Sequence, residues 1–154
     1  AEIFMGAGAA AAHPDHLLID GETLTVGAIQ IETISTPGHT DGCTTYRVEN
    51  MFFTGDVLLI RGTGRTDFQQ GSPEKEYASI KRLYQYPDET LIYPGHDYVG
   101  MTVSTIGEEK HHNPRIRTET TESEFVALMN SYHFDRPKKI DIALPANLRL
   151  GLSD

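Results

Sequence analysis

The chain has 154 residues, room for one ordinary domain and too few for two. With 13 Lys and Arg against 22 Asp and Glu its formal charge is −9, a field that repels nucleic acid and anionic membrane, and no apolar run approaches the roughly 20 residues of a spanning helix. A lone cysteine, Cys43, excludes an internal disulfide and a CxxC knuckle, so any metal must rely on His, Asp and Glu.

The opening Glu2-Ile3-Phe4-Met5 reads as part of a strand, without the basic stretch and apolar run of a signal peptide. A chain that opens within a strand pattern carries the expectation of an upstream portion. After a small Ala-rich segment, Leu17-Leu18-Ile19 leads into the turn Asp20-Gly21 and the strand Thr23-Leu24-Thr25-Val26. Ile29, Ile31, Thr33 and Ser35 alternate with Gln30, Glu32 and Ile34 along a further strand. Cys43 to Val48 and Met51 to Phe53 form a hairpin through Glu49-Asn50.

Helices enter later. Ser72-Pro73-Glu74-Lys75-Glu76 has Ser as N-cap, Pro in the first turn and acid near the positive dipole end, followed by the stripe Tyr77, Ile80, Leu83 and Tyr84. Thr90-Leu91-Ile92-Tyr93 reads as a buried strand ending at Pro94-Gly95. A helix is expected from Val103 to His111, and another from Thr121, with Glu124 completing a capping box and Phe125, Leu128 and Met129 facing inward. The exposed pair His111-His112 reads as solvated surface. The fold class is mixed α/β.

Four sequences stand at predicted strand ends: Thr36-Pro37-Gly38-His39-Thr40, Phe53-Thr54-Gly55-Asp56, Gly62-Thr63-Gly64-Arg65-Thr66-Asp67-Phe68 and Tyr93-Pro94-Gly95-His96-Asp97-Tyr98. In three of them a glycine directly precedes a metal-capable side chain, which lets the backbone turn sharply and present His39, Asp56 or His96 beyond the strand. Any one of them alone reads better as structure, His39 as a turn cap, Asp56 as an Asx-turn and His96 as a surface-loop residue; three together point to one cleft.

With these motifs the sequence resembles the metallo-β-lactamase superfamily, an αββα sandwich with ligands on loops at one edge of two packed sheets. The run from Phe53 to Gly62, then Gly64-Arg65-Thr66-Asp67-Phe68-Gln69-Gln70-Gly71, is similar to its persulfide dioxygenase (sulfur dioxygenase) branch. So are Leu91-Ile92-Tyr93-Pro94-Gly95-His96-Asp97-Tyr98, Val103-Ser104-Thr105 with Asn113-Pro114-Arg115, and Leu144-Pro145-Ala146-Asn147.

The resemblance implies one Fe(II) held by two histidines and one aspartate, with open positions for the persulfide and O₂. It assigns His39 and Asp56 to the metal, makes His96 and Asp97 catalytic groups that orient ligands, water or substrate, and gives Tyr98 and Arg115 to the thiol carrier. Arg65 and Asp67 are expected as a buried ion pair bracing the loop after Asp56, and Cys43 as a buried structural thiol. The family's HxHxDH motif, source of the other histidine, is missing. His13-Pro14-Asp15-His16 copies its last four letters but has Ala11 in the first position and runs into a strand, so it reads as a chance match on a surface loop.

The expectation is therefore that residues 1–154 are the C-terminal portion of a single, incomplete αββα domain, working with an N-terminal part of the same enzyme. That enzyme would oxidise a low-molecular-weight persulfide such as glutathione persulfide with O₂ to sulfite and thiol, in a bacterial cytoplasm or a mitochondrial matrix, with no nucleic-acid or membrane partner and a homodimer left open. The alternatives are a zinc-dependent thioester hydrolase of the glyoxalase II type and a non-catalytic binding remnant.

Overall fold

The computed structural model describes residues 2–9, 14–68, 70–98 and 100–151. Two short strands, β1 (Phe4–Gly6) and β2 (His16–Leu18), pair in parallel. They are followed by β3 (Thr23–Val26), β4 (Ile29–Ser35), β5 (Thr44–Val48) and β6 (Met51–Gly55), a run of antiparallel hairpins. The turn between β5 and β6 puts Glu49 at φ 53°, where the expected hairpin needs a left-handed residue. A small hairpin, β7 (Leu58–Leu59) and β8 (Gly62–Thr63), precedes helix α1 (Pro73–Leu83).

Strand β9 (Leu91–Pro94) then pairs in parallel with β6, and β10 (Ser104–Thr105) closes that edge. A parallel neighbour needs a crossover, and α1 lies within it. The main sheet has six strands in the order β10-β9-β6-β5-β4-β3. Three helices follow: α2 (Ile106–His112), α3 (Glu122–Ser131) and α4 (Ile140–Leu148).

Local chemistry sets the helix starts. Ser72 Oγ accepts from the Lys75 N–H, and Thr121 forms a reciprocal capping box with Glu124, both where the sequence places them. The helix expected from Val103 starts later, because Ser104 and Thr105 are taken by β10; Thr105 then caps α2 by accepting from the Glu108 N–H. Helix α4 was not expected; it carries Pro145 inside and buries no side chain.

Register determines the two faces of the main sheet. Phe52 and Ile92 are partners, and with Ile34 they are fully buried against Ile80 and Leu83 of α1, Ile106 of α2, Ile116, and Phe125 and Met129 of α3. The opposite face carries the cross-strand rows Thr33–Tyr46–Phe53–Tyr93 and Val48–Met51–Leu91. Phe53 stacks on Tyr93 with ring centroids 5.5 Å apart and is still 42% exposed. Among the described residues this apolar face has no second large sheet upon it, since the other sheets are the two-stranded β1–β2 and β7–β8.

Candidate metal centre and anion cleft

Strands β4 and β6 run in the same direction because each is antiparallel to β5, and β9 is parallel to β6. The C-terminal ends of all three therefore meet at one edge of the sheet. His39 follows β4, Asp56 follows β6 and His96 follows β9. The alignment of these ends brings together side chains separated by up to 57 positions in the sequence.

His39 Nδ1 lies 2.7 Å from the carbonyl oxygen of Arg65. A carbonyl only accepts, so Nδ1 carries the proton and the neutral ring keeps its lone pair on Nε2. That nitrogen faces Asp56 Oδ2 at 3.8 Å. Two electron-rich atoms at that separation suit a shared cation, and the donor set, one imidazole nitrogen and one carboxylate, suits iron or zinc. His96 Nδ1 lies 2.6 Å from the other oxygen of Asp56 and fixes the carboxylate from behind. Among the described residues no three His, Cys, Asp or Glu side chains are grouped as a complete metal set.

Gly64 permits this packing. A Cβ there would stand 2.4 Å from the Asp56 carbonyl oxygen and 2.9 Å from the His39 side chain, so no other residue fits without displacing the histidine.

The cleft beside this pair has a volume of about 370 Å³ and is lined by His39, Asp56, Leu59, Thr63, Gly64, Arg65, Tyr98, Arg115 and Phe134. Arg115 donates from Nη1 to the Thr63 carbonyl at 2.7 Å and lies over the Tyr132 ring at 4.9 Å. Its backbone N–H donates to Asn113 Oδ1, and Asn113 in turn donates to Glu109. Glu109 is fully buried and fully engaged, receiving Arg61, Ser104 and Asn113, so Arg115 leaves a rigid base. Tyr98 is 79% exposed and lies parallel to His96 at 5.8 Å.

Other sequence expectations need adjusting. Arg65 and Asp67 do pair, through Nε at 2.7 Å and Nη2 at 2.8 Å, but the pair is half-exposed rather than buried, because it stands at the rim of the cleft. Arg65 also donates to the carbonyls of Asp135 and Phe134 and packs over the Phe134 ring at 5.1 Å. This straps the segment after α3 across the cleft. The Asp97 carboxylate accepts from the N–H groups of Gly100 and Thr102, holding its own loop, and Asp97 is not among the cleft-lining residues.

Cys43 is half-buried; burial raises its thiol, and Sγ accepts from the Thr40 N–H. His111, read as solvated, shares a hydrogen bond of 2.7 Å with the Gly107 carbonyl, one turn back in α2. Of the partial motif, His13 and Ala11 lie outside the described residues, while Asp15 accepts from the Ile3 N–H and His16 stacks on Phe4. Leu59, Thr63 and Phe134 were missed. The first two lie within or beside quoted motifs, but no pattern near Phe134 marks it as a cleft residue.

The metallo-beta-lactamase superfamily signature matches residues 7–96. The chain is 46% identical over 144 residues to the mitochondrial persulfide dioxygenase ETHE1 of Bos taurus, covering 92% of this chain and 56% of that protein. It is 34% identical to glyoxylase B2 of Dictyostelium discoideum, covering 89% of this chain and 50% of that protein. The crystal structure of ETHE1 from Myxococcus xanthus superimposes with a TM-score of 0.94 at 43% identity, over 99% of this chain and 67% of that one. The chain spans about half the length of the curated relatives it matches. It belongs to the metallo-β-lactamase superfamily and has its mixed α/β fold.

Proposed function

We propose, from membership of that superfamily and from the His39–Asp56 pair in an arginine-lined cleft, that this chain is the C-terminal portion of an iron-dependent persulfide dioxygenase. In the overall reaction a glutathione-type persulfide, O₂ and water yield the thiol, sulfite and two protons. The observation that carries the reading is the pair itself: a histidine tautomer fixed by the Arg65 carbonyl and a carboxylate oxygen, 3.8 Å apart, open to a cleft. ETHE1 of Bos taurus is named a persulfide dioxygenase, and its similarity over most of this chain supports the reading.

His39 and Asp56 would hold the iron, with a second histidine supplied from the N-terminal part of the enzyme. Bound ferrous iron supplies the redox chemistry that joins O₂ to a sulfur, which no amino-acid side chain offers. His96 keeps the Asp56 carboxylate oriented toward the metal. Arg115, with Nη1 committed to Thr63, turns its charge to a carboxylate of the thiol carrier, and Tyr98 offers a hydroxyl at the rim. Leu59 and Phe134 give the sulfur end an apolar wall. The open sheet face receives the sheet of the N-terminal part, the macromolecular partner of this chain.

Metal analysis of the full-length enzyme, with oxygen uptake on glutathione persulfide, tests this. Iron and oxygen uptake are expected. Zinc with hydrolysis of a glutathione thioester and no oxygen uptake would establish the second reading, which the likeness to glyoxylase B2 favours.

A further inference from the structure

Two arginines line the cleft, and they are not equivalent. The Arg65 guanidinium is held by both oxygens of Asp67, at 2.7 and 2.8 Å, so its charge is answered within the chain. Arg115 commits only Nη1, to the Thr63 carbonyl at 2.7 Å and the Thr63 hydroxyl at 3.4 Å. Among the described residues no carboxylate pairs with it, and its Nε and Nη2 have no acceptor. Those two nitrogens form the flat edge of the guanidinium, a fork that grips a carboxylate by two parallel hydrogen bonds.

Such an edge grips well only where its plane is fixed, and one bonded nitrogen leaves the group free to turn. The second restraint is Tyr132, whose ring centroid lies 4.9 Å from Arg115 Cζ. Tyr132 is the C-cap residue of α3, half-buried and packed against the core cluster. Beyond it rings and cations continue in a row: the Tyr132 and Phe134 centroids are 5.4 Å apart, and Arg65 Cζ stands 5.1 Å from the Phe134 ring. The row Arg115–Tyr132–Phe134–Arg65 is anchored at its two ends by Thr63 and by Asp67. An aliphatic residue at 132 would serve the core packing as well; only an aromatic face attracts a cation.

We propose that Tyr132 is a positioning residue for Arg115: its ring holds the plane of the guanidinium so that Nε and Nη2 stand ready for a carboxylate of the thiol carrier. The aromatic face carries this role and the phenol hydroxyl does not. Through it the cleft selects carriers by charge, and not by shape alone. The inference rests on the reading that the cleft takes a carboxylate-bearing thiol.

The test compares S-methylglutathione with its diamide, in which both carboxylates become neutral amides of nearly the same shape. Each is titrated by calorimetry into the full-length enzyme and into its Y132F, Y132L and Y132M variants, two ring-free side chains being used so that one that fails to fold leaves the other. Wild type and Y132F are expected to prefer the carboxylate form. In Y132L and Y132M that preference should fall about tenfold, the effect of losing one desolvated contact between a cation and a ring. A merely structural loss would weaken both ligands alike, so an undiminished preference in a folded ring-free variant overturns the proposal. So does a preference that is lost in Y132F or absent from wild type. Failure of the dioxygenase reading would appear separately, as absence of oxygen uptake on glutathione persulfide with the carboxylate preference and its dependence on the ring intact.

Discussion

His96 donates from Nδ1 to Oδ1 of Asp56 at 2.6 Å, which leaves Asp56 Oδ2 as the oxygen that faces His39. One carboxylate thus serves two histidines, and in the proposed site only one of them, His39, would be a metal ligand.

Removal of His96 should therefore loosen the metal without removing a ligand. For His96→Ala we expect iron affinity in the full-length enzyme to fall about 10–100-fold, the usual cost of deleting a hydrogen-bond partner of a ligand. Competition with a chelator measures it. Asp56→Ala should abolish binding altogether, and an unchanged iron content in that variant would refute the ligand assignment.

Arg65 ties residues 134 and 135 to the cleft by two carbonyl contacts and one ring. Arg65→Lys keeps the charge but loses the planar fork, so the strap should open. Hydrogen exchange in the segment from 132 to 136 is expected to quicken in that variant while α1 keeps its protection. Unaltered exchange in the strap would show that Arg65 does not fasten it.

Glu76 makes stability depend on pH. Burial pushes its carboxyl up to about 9 in the folded chain, against 4.5 for a free glutamate. Between those values the folded chain keeps a proton that the unfolded chain releases, so the wild type loses stability as pH rises through that window. Glu76→Gln lacks this dependence. Its advantage over wild type should grow with pH across the window, by at most about 1.4 kcal/mol per pH unit, and level off above it. Urea denaturation at several pH values reads the difference; a constant gap would mean that the acid is not held neutral.

The open face of the main sheet should accept a charge without unfolding the chain. Phe53 is 42% exposed, so Phe53→Lys is expected to shift stability by no more than about 0.5 kcal/mol. It should nevertheless weaken association with the N-terminal part, followed by sedimentation of the two pieces together. Undiminished association would remove this face from the interface.

Features governed by near neighbours were legible in the sequence. Ser72 and Thr121 cap their helices through residues three positions on, and the β5–β6 turn is written in Glu49-Asn50. Glycine followed by His or Asp marked three strand ends that the sheet does bring together. The parallel pairing of β1 with β2 was hidden, because it joins residues 12 apart across no tight turn. Helix α4 was hidden as well: Pro145 argues against a helix, and Lys139 gives no side-chain cap. Glu76 stands in the alternating run Glu74-Lys75-Glu76, which looks like a solvated first turn. Its complete burial and the approach of Gly38 show that this position faces the interior.

The three chemistry-bearing loops all leave one sheet edge, from strands whose neighbours fix their alignment residue by residue. A slip of β6 by a single position would turn Asp56 to the opposite face, away from His39 and His96. Metal capture would then act as a proofreading step: a correctly threaded sheet retains the ion and a mis-threaded one does not. During refolding, the moment of ion uptake would date the completion of the central strands.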